Sequence, residues 1–168
     1  MTKPIGREVK LDFTPEMAKL NRNWKKTQAR RAITLPNGKF DGPDWYSPTC
    51  IDEDGNQYPS QYPGQEVFGI WSLDGDWGLE SPYWPGHVFL SLGEKYVITN
   101  VRVERLREMS EEDAKAEGAK FCSGDGYRCC FIHAWDLTPR ADPVKGWDAN
   151  PWVWVITYRK LEENSERT

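Results

Sequence analysis

Between residues 19 and 31 the chain carries Lys19, Arg22, Lys25, Lys26, Arg30 and Arg31, and no acid. Six positive charges therefore sit in one short stretch of a chain whose net charge is −4. Trp24 and Gln28 lie inside the same stretch. Cations interleaved with an aromatic suit two chemistries: holding a phosphate, and stacking on a base. Arginine offers a planar fork to a phosphate, lysine a point charge. The plain alternative is a solvated helix end followed by a strand. If the stretch is extended, Arg30 and Arg31 point to opposite faces, so only one can serve a given pocket.

A second group of reactive side chains lies further on. Cys122, Cys129, Cys130 and His133 are zinc-ligand types, but the paired Cys-x-x-Cys knuckle is missing. With Cys50 the chain has four cysteines. The opening Met1-Thr2-Lys3-Pro4 lacks an export pattern, so reduced thiols are expected in place of bridges. His87 and His133 have no adjacent nucleophile with a third orienting group, which argues against a hydrolytic triad. No glycine loop of the phosphate-cradling type is present, and no cofactor is implied. Asp52, Asp54 and Gly55 lack the later ligands of a calcium loop, so Asp54-Gly55-Asn56 reads as a turn.

The elements that must position these residues follow from local pattern. Val9, Leu11 and Phe13 alternate with polar residues, as in a strand. Thr14 then caps a helix with Pro15 at its first position, and Met17, Leu20 and Trp24 mark its face. Residues 29 to 34 read as extended, and Leu35-Pro36-Asn37-Gly38 as a turn. Residues 38 to 86 hold eight of the 14 Gly and six of the 12 Pro. This reads as a loop-rich insertion with short strands, the firmest near Glu66 to Trp71. From 95 to 106, Val97, Thr99, Val101 and Val103 share one face of a strand; Asn100, Arg102 and Glu104 share the other. Ser110 with Asp113 forms a capping box for a helix over 111 to 117, and Gly118 stops it. A short amphipathic piece follows over 131 to 137. In the last strand, 152 to 158, Trp152 and Trp154 take one face and Val153 and Val155 the other. Residues 162 to 168 read as a polar tail.

The sum is a single α+β domain over 1 to 168: a small, mostly antiparallel barrel with two or three short helices. Aromatics make up 13% of the chain, too many for a disordered protein. No apolar run approaches the ~18 residues of a membrane span, so no membrane partner is expected and the default is cytoplasmic. The acidic balance argues against coating nucleic acid through bulk charge, but not against a local basic site.

Three stretches, in this order, resemble the ASCH domain, a branch of the PUA-like superfamily. The first is Lys25-Lys26-Thr27-Gln28-Ala29-Arg30-Arg31. The second is Val101-Arg102-Val103-Glu104-Arg105-Leu106 with Ser110 to Gly118. The third is Gly146-Trp147-Asp148-Ala149-Asn150-Pro151-Trp152-Val153-Trp154-Val155-Ile156. The last two are particularly similar to ASCH-like proteins of bacteriophages and prophages, which also carry a Pro-Gly strand start, here Pro63-Gly64. The resemblance implies a PUA-like pseudo-barrel that binds RNA or a modified nucleotide in a basic cleft between the first helix and the barrel.

Lys26 and Glu117 occupy the positions that face that cleft in the family, and Arg31 matches the family arginine. Lys19, Arg22, Trp24, Lys25 and Arg30 are further candidate contacts. Some ASCH proteins are amidohydrolases on acetylcytidine, using a lysine, a threonine three residues later and the glutamate. Here that threonine is Ala29, which has no hydroxyl. Thr27 is the nearest substitute, so Lys26, Thr27 and Glu117 would form any catalytic set. A ribonuclease, or a phage accessory protein acting on another protein, are the other readings. The family glycine two before the lysine is replaced by Trp24.

Overall fold

The computed structural model describes residues 6–33, 81–137 and 145–162 in full, with the backbone of four strands between 46 and 80. The turns expected at 35–38 and 54–56 lie outside the described residues. So do the polar tail beyond Glu162 and any closing of the site by the 38–86 insertion.

The fold is α+β, as the sequence implies. Four antiparallel strands make a curled half-barrel. They are β1 (Gln28–Ala32), β6 (Val88–Ser91), β7 (Glu94–Arg105) and β8 (Trp152–Lys160), in the order β1-β8-β7-β6. The insertion carries a second antiparallel sheet: β2 (Tyr46–Ile51), β3 (Gln57–Pro59), β4 (Val67–Ser72) and β5 (Gly78–Glu80), ordered β3-β2-β4-β5. The strand expected near 66–71 is β4. Three α-helices are described: α1 (Pro15–Arg22), α2 (Glu111–Ala116) and α3 (Gly126–Leu137). None of the described helices is long and apolar enough to cross a membrane.

β8 is a central strand with both faces covered, and its parity divides the core. Trp152, Trp154, Ile156 and Tyr158 join Leu11, Ala29, Phe89, Tyr96, Ile98 and Val101 on one side. Val153 and Val155 pack on the other side with Leu106, Met109, Ala114, Phe131 and Trp147. That second side is the layer of α2 and α3. The alternation expected for this strand is therefore correct, and the tryptophans are core.

Three expectations need correction. Residues 9–13 form no strand; the segment touches β6 through one parallel bridge, Glu8 to Val88. Its alternation still sorts the side chains, since Leu11 is buried while Lys10 and Asp12 are exposed. In β7 the register shifts between Ile98 and Asn100. A bulge of this kind reverses side-chain parity. Tyr96 and Ile98 face the core before it, and Val101 and Val103 after it. Val97 and Thr99 do not share the face of Val101. Finally, α3 begins at Gly126, five residues before the expected start, so Cys129 and Cys130 lie on a helix.

Both helix stops near the site use the same device. At the end of α2, the Gly118 N–H donates to Lys115 O at 2.9 Å and the Ala119 N–H to Ala114 O at 3.1 Å, with Gly118 at φ +86°. At the end of α1, the Trp24 N–H donates to Asn21 O at 3.1 Å and the Lys25 N–H to Leu20 O at 3.0 Å, with Trp24 at φ +61°. Both are Schellman stops, whose left-handed position normally takes glycine. A tryptophan there is strained by about 1–2 kcal/mol. Trp24→Gly is expected to stabilise the protein by about 1 kcal/mol, raising the melting temperature by roughly 2–4 °C in a thermal scan.

Candidate functional site

The two helix stops meet. The Thr27 N–H donates to Ala116 O at 2.8 Å. A Cβ on Gly118 would lie 2.9 Å from Leu20 Cδ1 and 3.3 Å from Lys26 Cβ. Only a residue without a side chain allows α2 to end against α1 this closely. The contact brings Lys26 and Glu117 together across 91 residues of sequence.

Lys26 is buried at 2% exposure and Glu117 at 5%. Lys26 Nζ donates to Glu117 Oε2 at 2.7 Å, to Glu117 O at 2.9 Å and to Gln28 O at 2.9 Å. An ammonium has three donors, so every one is used. Burial pushes the Lys26 amine below the ordinary lysine range, while the charge and hydrogen bond of Glu117 oppose the fall. A Phe13 ring lies 5.9 Å from Nζ.

Strand parity carries the site further. Lys26, Gln28 and Arg30 are two residues apart, so they share a face. Arg30 Nη1 donates to Gln28 Oε1 at 2.6 Å and to Glu117 Oε1 at 3.1 Å. Arg30 Nη2 donates to Glu104 Oε1 at 2.5 Å and lies 3.3 Å from Asp113 Oδ2. Arg102 Nε lies 3.4 Å from Glu104 Oε2, and Arg102 Nη2 lies 3.1 Å from Asp113 Oδ1. In the sheet Arg30 pairs with Val155, and Val155 with Arg102, so both arginines stand in one row facing α2. Three cations thus meet three carboxylates, and the network is balanced.

Arg31 is not the arginine that joins Lys26 and Glu117. It faces the other way: its guanidinium donates to Arg30 O at 2.8 Å and to Asp12 O at 2.5 Å, and lies 5.3 Å from the Phe13 ring. The family spacing of five places the arginine out of phase with Lys26, and parity selects Arg30. The sequence reading also missed Glu104, Arg102 and the second role of Asp113. One oxygen of Asp113 caps α2 by accepting from the Ser110 N–H at 3.2 Å. Burial alone would raise its carboxyl, but Ser110, Arg30, Gln28 and Arg102 hold it down to about 2. Beside the network, the Tyr158 hydroxyl donates to Asn21 Oδ1 at 2.6 Å, and Asn21 Nδ2 donates to Ser91 Oγ at 3.3 Å. Burial, then the nearby Glu117 charge, pushes the Tyr158 phenol well up.

The remaining basic residues lie on the outside. Lys19, Arg22 and Lys25 are exposed, and Trp24 is 54% exposed. Arg22 Nη2 donates to Leu92 O at 2.9 Å, and its Nε lies 3.7 Å from Glu94. The basic stretch therefore splits into a buried, neutralised half and an exposed half. Ala29 is fully buried among apolar residues, and Thr27 is half-buried.

The expected thiols are also corrected. Cys122 and Cys130 form a disulfide, which leaves Cys129 free and exposed among the described cysteines. The bridge occupies two of the four residues of zinc-ligand type. No cluster of three metal-ligating side chains occurs among the described residues.

No protein-family model matches the sequence, and no curated protein matches it. A solved ASCH domain from Lactobacillus crispatus JV V101 is similar at 11% identity, with a TM-score of 0.43, covering 94% of this chain and 80% of that one.

Two outcomes are expected. Lys26→Met leaves Glu117 Oε2 buried without its cation, with Arg30 still on Oε1, and should cost about 3 kcal/mol in a urea melt. Asp113 has a depressed folded value, so its stabilisation is whole above about pH 4 and is lost as the pH falls towards about 2. Asp113→Asn should remove that part of the acid limb in a pH series of melts.

Proposed function

We propose that the chain is an ASCH-like domain that binds RNA or a modified nucleotide at the end of α1. The resemblance in three ordered motifs supports the family. Two of those motifs supply Lys26 and Glu117, which lie against each other. The observation that carries the binding reading is Trp24. It is a large aromatic, more than half exposed, held in a strained backbone position beside exposed Lys25. Trp24 would stack on a base, and Lys19, Arg22 and Lys25 would meet phosphates. The buried network would act beneath them as the rigid support that fixes the α1 stop.

Amidohydrolysis is the second reading, and the lowered Lys26 amine next to Glu117 favours it. Against it, the position of the family threonine is Ala29, inside an apolar cluster. A phage accessory role with a protein partner is the third reading.

The test is a titration with single-stranded RNA, duplex RNA and modified nucleosides including acetylcytidine, at about 50 mM salt, where phosphate contacts are strong. Product formation is followed in the same samples. Binding without product is expected, weakened roughly 5- to 150-fold by Trp24→Ala. Product that Lys26→Met abolishes would establish the hydrolase. No binding to any member would move the function to a protein partner.

A further inference from the structure

The segment after α2 carries a second exposed aromatic that the site above does not use. Phe121 is 65% exposed. Its ring meets Tyr127 edge-on, with centroids 5.3 Å apart. Lys115 Nζ lies 5.8 Å from the centre of the Tyr127 ring. Lys115 and Lys120 are exposed, and neither has a carboxylate within ion-pair distance among the described residues.

The loop that presents Phe121 is braced. The Gly126 N–H donates to Cys122 O at 3.1 Å, the Cys122 N–H donates to Gly126 O at 3.0 Å, and Cys122 is tied to Cys130 on α3. The start of α3 is held in turn by the Glu111 carboxylate, which accepts the Tyr127 N–H at 2.6 Å. An exposed phenylalanine on such a loop is fixed in place without being covered.

Its position relates it to Trp24. Gly118, three residues before Phe121, sits against Leu20 and Lys26. Each exposed aromatic therefore follows within three residues of a stop at the same junction, Trp24 after α1 and Phe121 after Gly118, and each has one exposed lysine next to it in sequence, Lys25 and Lys120. Two aromatics with interspersed cations are what a flexible strand needs: a stacking plate for each of two bases, and charges for the phosphates between. A duplex keeps its bases stacked inside and cannot use such plates.

We infer that Phe121, with Lys115 and Lys120, is a second nucleotide subsite, and that the ligand is a single strand of RNA running from Trp24 to Phe121. This rests on the binding reading above and narrows it to a polymer.

The test compares a mononucleotide, a single-stranded pentanucleotide and a duplex RNA, using the wild type, Phe121→Ala, Phe121→Tyr and the double variant Lys115→Ala, Lys120→Ala. The pentanucleotide should bind more tightly than the mononucleotide and the duplex. Phe121→Ala should weaken the pentanucleotide roughly 5- to 150-fold and leave the mononucleotide unchanged. Phe121→Tyr, which keeps a ring, should restore binding. The double lysine variant should lower the slope of log affinity against log salt by about 1.4, at about 0.7 per phosphate contact on a single strand. Equal binding of mononucleotide and pentanucleotide, unaffected by Phe121→Ala, would overturn the subsite and leave the binding reading intact. Preference for the duplex would also overturn it. Binding of none of the three would overturn both the subsite and RNA as the ligand.

Discussion

The buried pair of Lys26 and Glu117 is the contact on which the rest depends. Neither residue lies inside a regular element. Lys26 falls between α1 and β1, and Glu117 caps α2. Their pairing joins the sheet edge to the helix layer. An ammonium taken out of water costs several kcal/mol unless its partners come with it. Arg30 raises the same demand two positions along, and Glu104 on β7 and Asp113 on α2 meet it. Compared with apolar packing, such a network adds little net stability. It does exclude alternatives. If α2 slid by one turn, Lys26 would be buried without a carboxylate and Arg30 would keep only Glu104, and that arrangement is several kcal/mol less stable.

The fold was legible wherever one short stretch holds both halves of an interaction. Thr14 caps α1 by accepting from the Met17 N–H, and Ser110 and Asp113 cap α2 reciprocally. Such contacts close within three residues, so residue type and spacing identify them. The start of α3 has no local cap. Its second and third N–H groups, those of Tyr127 and Arg128, are taken by Glu111, which lies in a different helix. No pattern within 122–130 could announce that start. The bulge at Ile98–Asn100 was hidden because no glycine or other local residue marks it. The segment 9–13 shows the opposite limit: alternation reports which side faces the core, not whether a ladder forms.

The site divides in the same way. Lys26 and Glu117 came from motif resemblance, because no periodicity links positions that far apart. Arg30 was within reach of physics alone. Two-residue parity from Lys26 selects it over Arg31, and the geometry follows parity. Glu104 and Asp113 were masked by the roles they openly play, one as a polar residue on a strand, the other as a cap. A carboxylate has two oxygens, and Asp113 uses both, one for the cap and one for Arg102. A local reading finds only the first.

Neutralising the network decides where a ligand could be drawn. With Lys26, Arg30 and Arg102 matched by carboxylates, little of their charge reaches solvent. The field outside is set by exposed residues such as Lys19, Lys25, Lys115 and Lys120. Screening limits each to about 8 Å at physiological salt, so a chain of net charge −4 can still be locally attractive to a phosphate. A few exposed lysines give little affinity alone, and stacking must supply the rest. Two features then fit together. Trp24 holds a left-handed position where glycine would be unstrained, and Phe121 leaves most of a large ring in water. Trp24 strains the backbone there, and Phe121 meets the edge of Tyr127 while leaving the rest of its ring in water. Those two rings are where the binding proposed above would act.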